Sequence, residues 1–311
     1  MAFAAVFPGQ GSQSTGMLAD LASSFTEVKN TFQQASEVLG RDLWKLTLSE
    51  DGSLNQTENT QPVMLAAGVA VWKVWKSQGG GLPVGMAGHS LGEYSALVAS
   101  GMVAFDDAVA LVANRASFMQ QAVAEGEGAM AAIIGLDDDQ VVRVCAEAAE
   151  EGIAEAVNFN SPGQVVIAGD AKAIDRAIEQ LKAAGAKRAI KLAVSVPSHC
   201  SLMKGASEQL WEKLADITLS DSSVPVLHNV SASSMEGQSD VKTALSEQLF
   251  KPVRWVDTIN NLKNDLGAQS IIEFGPGKIL FGLNRRIDRK LGNICIYDSA
   301  SLEKALELCN A

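Results

Sequence analysis

The segment Gly88-His89-Ser90-Leu91-Gly92 constrains this 311-residue chain more than any other feature. It follows a short apolar run at residues 84–87 that reads as a strand, and it opens a helical stretch over residues 91–99. A G-x-S-x-G sequence between strand and helix requires a sharp turn: the serine is held in a strained conformation, the glycines relieve crowding, and the helix N-terminus offers backbone N–H groups to an oxyanion. Ser90 is therefore a candidate nucleophile. The same residues also fit a glycine-lined turn in which the serine only caps the helix.

The rest of the chain says what surrounds that turn. Residues 3–7 are continuously apolar, as expected for a strand covered on both faces in a parallel sheet, and they end at the loop Pro8-Gly9-Gln10-Gly11-Ser12. Helical patterns at residues 25–39 and 61–75 follow, so strands and helices alternate as in a layered α/β domain. From residue 129 to 192 the pattern becomes self-contained. A strand at 129–134, a helix opening at Asp137, strands at 153–159 and 164–168, a helix at 170–184 and a strand at 187–193 give the β-α-β-β-α-β order of a ferredoxin-like unit. The expectation is an α/β fold with a mostly parallel sheet in a large subdomain, residues 1–126 and 196–311. A ferredoxin-like small subdomain, residues 127–195, is inserted into it.

Composition narrows the function. With 47% hydrophobic and 20% charged residues the chain has the make-up of a folded protein, and its length allows a large core without metal or disulfide support. A formal net charge of -11 disfavours nucleic acid and anionic lipid as partners unless a local basic patch exists. Cys145, Cys200, Cys295 and Cys309 show no paired C-x-x-C spacing, which argues against a zinc site or a disulfide framework and fits a reducing cytosol. The N-terminus has no basic region and reaches Pro8-Gly9 too early for a signal sequence, and no uncharged apolar run attains the ~18 residues of a membrane span. A cytoplasmic location is expected.

A nucleophilic serine needs a base, and only His89, His199 and His228 are available. His89 precedes the serine and reads as a packing or hydrogen-bonding residue. His199, in Val196-Pro197-Ser198-His199-Cys200, stands where the inserted unit hands the chain back and can face the cleft between the two subdomains, a preferred place for ligands. His228 sits in the apolar run Val226-Leu227-His228-Asn229-Val230 and reads as a strand residue with a satisfied ring. No histidine follows residue 228, so the late histidine of an ordinary esterase is missing. No acid stands out as a third member either, and a neutral group such as a backbone carbonyl can orient the base. That suffices for a thiolate leaving group, with a pKa of roughly 8.5, and points to thioesters.

After Phe105-Asp106-Asp107, which reads as a helix start, Ala108, Val112, Arg115, Met119 and Ala122 fall on one helix face. A guanidinium on an apolar stripe needs an anionic partner if it is buried. An internal salt bridge, a side chain snorkelling to solvent, and a bidentate clamp on a substrate carboxylate are the three readings. The last implies an acyl group with a free carboxylate.

Together these residues resemble the malonyl-CoA:acyl-carrier-protein transacylases of fatty-acid synthesis. The resemblance covers nearly the whole chain in six blocks: residues 7–13, 88–96, 128–136, 158–164, 195–200 and 273–278. It implies an α/β-hydrolase-like large subdomain with the ferredoxin-like insert, and ping-pong transfer of malonyl from coenzyme A to the phosphopantetheine thiol of the carrier. By position in the motifs, Ser90 would be acylated, His199 would act as base and acid, and Arg115 would hold the malonyl carboxylate. The N–H groups of Gln10 and Leu91 would form the oxyanion hole, and the main-chain carbonyl of Gln248 would orient the histidine. Asn160 is expected to cap or tie the loop beside the pocket, and the Gly275-Pro276-Gly277-Lys278 turn either approaches coenzyme A phosphates or is a plain turn. His228 stands where the family commonly has asparagine.

An acidic enzyme serving an acidic carrier needs a local positive patch. Lys187, Arg188 and Lys191, and a second cluster of Arg285, Arg286, Arg289 and Lys290, are the candidates expected to flank the cleft. The partners implied are malonyl-CoA and acyl carrier protein, with no metal or redox cofactor, no nucleic acid and no membrane, and the chain is expected to act as a monomer. The rival functions are a serine acyl-thioester hydrolase and a non-catalytic acyl-binding protein.

Overall fold

The computed structural model of the chain describes residues 1–194 and 196–310. Ser195, which opens one of the six family-like blocks, and Ala311, the last residue of the expected large subdomain, lie outside the described residues. The described strands are β1 (Phe3–Phe7), β2 (Gly85–Gly88), β3 (Gly128–Ile134), β4 (Ala154–Ser161), β5 (Gln164–Asp170), β6 (Arg188–Lys191), β7 (Val226–Leu227), β8 (Ser270–Phe274) and β9 (Gly292–Ile296). They form two sheets. One has the order β7-β2-β1-β8-β9 with every pairing parallel. The other has the order β4-β5-β3-β6 and is antiparallel throughout.

The apolar run of β1 is buried along its whole length at the centre of the parallel sheet. Side chains alternate across a strand. Phe3, Ala5 and Phe7 accordingly enter the main core, where the Phe7 ring meets those of Trp72 and Phe274, while Ala4 and Val6 enter a second core built around Trp255 and Ile259. The helix Thr57–Ser77 lies against the first of these faces and tolerates Pro62 near its start. Proline lacks the N–H that would reach the carbonyl one turn back. That carbonyl, of Glu58, instead accepts from Arg41 Nη2 at 2.6 Å.

In the antiparallel unit, the Asp137–Gln140 capping box starts the helix Asp138–Ala149, and Pro162-Gly163 forms the tight connection between β4 and β5, with Gly163 at φ 70°. The helices Asp138–Ala149 and Ala171–Ala183 cover one face of the sheet with Val141, Cys145, Ile174 and Leu181. The opposite face carries Met130, Val157, Val166 and Ala168 and packs on Cys200 of the larger unit. The chain leaves and re-enters the larger unit side by side: a Cβ placed on Gly128 would lie 2.5 Å from the Pro197 ring. Among the described residues no helix is long and apolar enough to cross a membrane.

Two expectations from the sequence need correction. The last strand of the small unit is shorter than residues 187–193, because β6 is an exposed edge strand and the chain beyond it turns toward the cleft. His228 is not a strand residue. Strand β7 stops at Leu227, and a turn closes over the histidine, whose N–H donates to Ser233 O at 3.0 Å and whose carbonyl accepts from Ala232 N at 2.8 Å.

Candidate active site

The turn at Ser90 is enforced by close contact. Strand β2 ends at Gly88 and the helix Gly92–Ala99 begins just beyond it. A Cβ on Gly88 would lie 1.8 Å from the carbonyl carbon of Gly92, and one on Gly92 would lie 2.0 Å from Phe7 O, so both positions require glycine. Ser90 has φ 52°, a left-handed conformation that costs a non-glycine residue about 1–3 kcal/mol and is tolerated where the surroundings impose it. Here they do. Its N–H donates to Asn229 Oδ1 at 2.7 Å, its carbonyl accepts from Gln248 Nε2 at 3.1 Å, and Asn229 Nδ2 donates to Gly88 O at 2.6 Å.

His199 is buried with its Nε2 2.8 Å from Ser90 Oγ and its Nδ1 2.6 Å from the main-chain oxygen of Gln248. It too has a left-handed backbone, φ 67°, held by a bond from its N–H to Leu249 O at 2.8 Å. A carbonyl oxygen only accepts, so Nδ1 carries the proton and Nε2 presents a lone pair to the serine hydroxyl. Burial, and after it the positive charge of Arg115, push the imidazole pKa down to about 3, which keeps the ring neutral near pH 7. His228 is elsewhere: its Nδ1 lies 2.8 Å from Glu93 Oε1, while its buried Nε2 has no hydrogen-bond partner among the described residues, so the ring is only half satisfied and the expectation of a satisfied ring is corrected. The structure thus sets His199, not His228, against the Ser90 hydroxyl.

Arg115 occupies the middle of the helix Phe105–Gln121 and is 1% exposed. Its burial rules out the snorkelling arrangement, and among the described residues no internal salt bridge is found. Its Nη1 donates to Gln61 Oε1 at 2.6 Å and its Nη2 to Gln248 Oε1 at 3.0 Å and Ser90 Oγ at 3.2 Å, all neutral acceptors, while Nε has no partner. Among the described residues no carboxylate forms an ion pair with it. The guanidinium stands over the Tyr94 ring, 5.6 Å from its centroid. A buried cation surrounded by dipoles but lacking a counter-charge in contact favours an anionic ligand.

The loop after β1 closes the other side. A Cβ on Gly9 would lie 2.5 Å from His89 O and 3.7 Å from Leu91 N, so the absence of a side chain there lets the Gln10 backbone come up to the elbow. Gln10, Ser90, Leu91, Arg115 and His199 all line one cavity of about 120 Å³. Met130, Leu192 and Val194 from the small unit form its apolar wall, so the space lies between the two units. Gln248 stands behind it, presenting its main-chain oxygen to His199 and its side chain to Arg115. Lys187, Arg188, Arg285 and Arg286 are exposed and do not line it. The two basic clusters are at opposite edges of the antiparallel sheet: Arg188 is on the edge strand β6, while the helix Ile279–Ile287, which carries Arg285 and Arg286, packs on β4 and bonds Gln164 through Arg286.

The remaining residues are also placed. His89 Nε2 lies 2.7 Å from Asn160 Oδ1 and its ring packs near Trp255, so Asn160 ties the elbow to β4. The Gly275–Lys278 turn packs on the first loop, with Gly275 against Pro8 and Gly277 against Ser12, and Lys278 covers the Tyr297 ring. Gln61, Glu93 and Asn229 have contacts in the site that the sequence did not reveal. The one local signal was polarity out of place: Gln61 and Glu93 each sit in an apolar helical stretch, as Arg115 does.

Residues 5–282 match the acyl transferase domain family. The malonyl CoA-acyl carrier protein transacylase of Escherichia coli K12 is 52% identical, covering 98% of this chain and 99% of that protein. An acyl carrier protein S-malonyltransferase of Vibrio cholerae superposes with a TM-score of 0.95 at 50% identity, covering 98% and 99% of the two chains. A malonyl-transacylase solved in complex with a type II PKS acyl-carrier protein superposes with a TM-score of 0.97 at 50% identity, covering 99% and 100%.

Proposed function

Because the chain belongs to the acyl transferase domain family, we propose that it is a malonyl-CoA:acyl-carrier-protein S-malonyltransferase, moving malonyl through an ester on Ser90 to supply fatty acid synthesis. The observation that carries this reading is Arg115, a buried guanidinium with neutral acceptors only, whose Nη2 stands 3.2 Å from the serine hydroxyl. An acyl group bound there with a free carboxylate places a negative charge in direct contact with it.

The chemistry follows from the geometry. His199 Nε2 takes the Ser90 proton as Oγ attacks the thioester carbonyl, and the resulting oxyanion is received by the N–H groups of Gln10 and Leu91, each donor worth about 3 kcal/mol of transition-state stabilisation. Collapse expels the coenzyme A sulfur, which leaves with the proton held by the imidazolium. The carrier thiol then enters, gives its proton to the same nitrogen, attacks the ester carbonyl, and Ser90 departs with the proton restored. Gln248 O holds the imidazole in one tautomer throughout. No electron is gained or lost in this sequence, and the reaction as written needs no metal or redox cofactor.

The arginine and lysine clusters at residues 187–191 and 285–290 would steer the acidic carrier. The chain is read as a cytoplasmic monomer. Unpaired cysteine spacing supports the compartment, and exposed apolar residues such as Leu82 in a loop, Ile190 on β6, and Trp211 and Ile279 on two different helices do not fall along one helix or strand. Intact mass after exposure to malonyl-CoA without carrier tests the whole reading. One malonyl per wild-type chain, none on Ser90→Ala, and little malonate released after the burst are expected. Continuous malonate release would make the protein a hydrolase, and no adduct would make it a binding protein.

A further inference from the structure

Glu93 is fully buried in the first turn of the helix Gly92–Ala99 and takes no part in the reaction as written. Its oxygens face three donors: Gln248 Nε2 at 2.6 Å, Asn229 N at 3.0 Å and His228 Nδ1 at 2.8 Å. A carboxylate only accepts, so the Gln248 amide can meet it only through its NH2 group. That choice, which the Ser90 carbonyl reinforces by accepting from the same NH2 at 3.1 Å, turns Gln248 Oε1 toward Arg115 Nη2, 3.0 Å away. With the amide reversed, N–H would confront guanidinium N–H, and carbonyl oxygen would confront carboxylate. The same Gln248 carries the carbonyl that holds His199, and Asn229, whose N–H is fixed by Glu93, spans Gly88 and Ser90. Arg115 has no carboxylate in contact among the described residues; burial disfavours its charged form, and the neighbouring Tyr94 and, after it, Glu93 oppose that effect.

We propose that Glu93, held in place by His228, is a positioning residue for this site. It orients the Gln248 amide and balances the Arg115 charge from across that amide, leaving the guanidinium face open for the carboxylate of the acyl group. The inference rests on the transfer reading given above. Glu93 acts through Gln248 and Asn229 and touches no reacting atom.

The test compares wild type with Glu93→Gln, with rates expressed per site titratable by the malonyl burst. Glutamine keeps the volume and can still accept from Gln248 and Asn229, while its NH2 meets Nδ1 of His228 in the other tautomer, so the change removes charge with little change of shape. The expected result is a fall in the per-site acylation rate of ~10-fold or more, the loss of a hydrogen bond to a charged group, with no rise in the KM for malonyl-CoA. A residue needed only for folding would lower the yield of titratable sites and leave the per-site rate unchanged, and that outcome overturns the proposal. If Glu93→Gln gives no folded protein, the pair His228→Leu and His228→Asn decides. Leucine strips a donor from Glu93 and slows per-site acylation several-fold, whereas asparagine, with an N–H near the position of Nδ1, restores most of the loss; equal per-site rates in both overturn the proposal. Absence of the malonyl ester in wild type would refute the transfer reading itself, a distinct outcome.

Discussion

His199 Nδ1 lies 2.6 Å from the main-chain oxygen of Gln248, so the imidazole facing Ser90 is held by a peptide dipole where a carboxylate is the commoner partner. A dipole fixes tautomer and direction as well as a carboxylate does but stabilises the imidazolium less. The leaving group for which this suffices is a thiolate, which needs little help from an acid. The adjacent Arg115 adds to the effect, since its charge further disfavours protonation of the ring.

That electrostatic arrangement predicts a pH profile. The acid limb of kcat/KM reports the free enzyme's base. With the folded pKa of His199 lowered to about 3, the base stays deprotonated as pH falls through the ordinary histidine value of about 6.5, and activity is lost only well below it. With acetyl-CoA as acyl donor, which does not need the clamp, Arg115→Leu removes a cation that opposes imidazolium and moves the limb to higher pH. A wild-type limb near 6.5, or one that Arg115→Leu leaves in place, would refute the assignment.

Acyl preference should follow the guanidinium. Arg115→Ala is expected to cost malonyl transfer about 2–5 kcal/mol, ~30-fold or more in kcat/KM, because a buried charged contact is lost. Relative activity on acetyl-CoA should rise. Steady-state rates with the two donors measure this, and an unaltered ratio would remove Arg115 from the carboxylate site.

Glycine at position 92 is required for space, since it opens a helix with no positive φ. Gly92→Ala places a methyl 2.0 Å from Phe7 O, and a destabilisation of at least about 3 kcal/mol is expected, the upper range for overpacking against rigid backbone. Gly101→Ala makes a useful control. It meets nothing within 4 Å and carries only the left-handed strain of φ +82°, roughly 1–2 kcal/mol. Chemical denaturation of both variants should separate them, and equal losses would show that the elbow can relax.

Reversing charge at Arg188 and Arg286 should raise the KM for carrier protein and leave Ser90 acylation by malonyl-CoA intact, since neither residue lines the cavity. The effect should shrink with added salt. Equal losses in both half-reactions would rule the clusters out as a carrier surface.

Much of this molecule was legible because its signals are local. A five-residue apolar run specifies β1, a strand-glycine-serine-glycine-helix succession specifies the elbow, and the spacing of Ala108, Val112 and Met119 puts Arg115 on the buried face of its helix. His228 shows where local reading fails. An apolar neighbourhood suggested a strand, but the strand ends one residue earlier and the ring pairs with a glutamate 135 positions away.

What the sequence by itself determined is which elements form and which residue types they carry, since periodicity, turn chemistry and burial act between near neighbours. Only the tertiary structure decided which polar groups meet. Glu93 finds Asn229 and Gln248 at separations of 136 and 155 residues, and Arg115 finds Gln248 across 133. A buried polar group must be satisfied by whatever the packed core brings within about 3 Å, and no pattern within a short window of sequence encodes that distance.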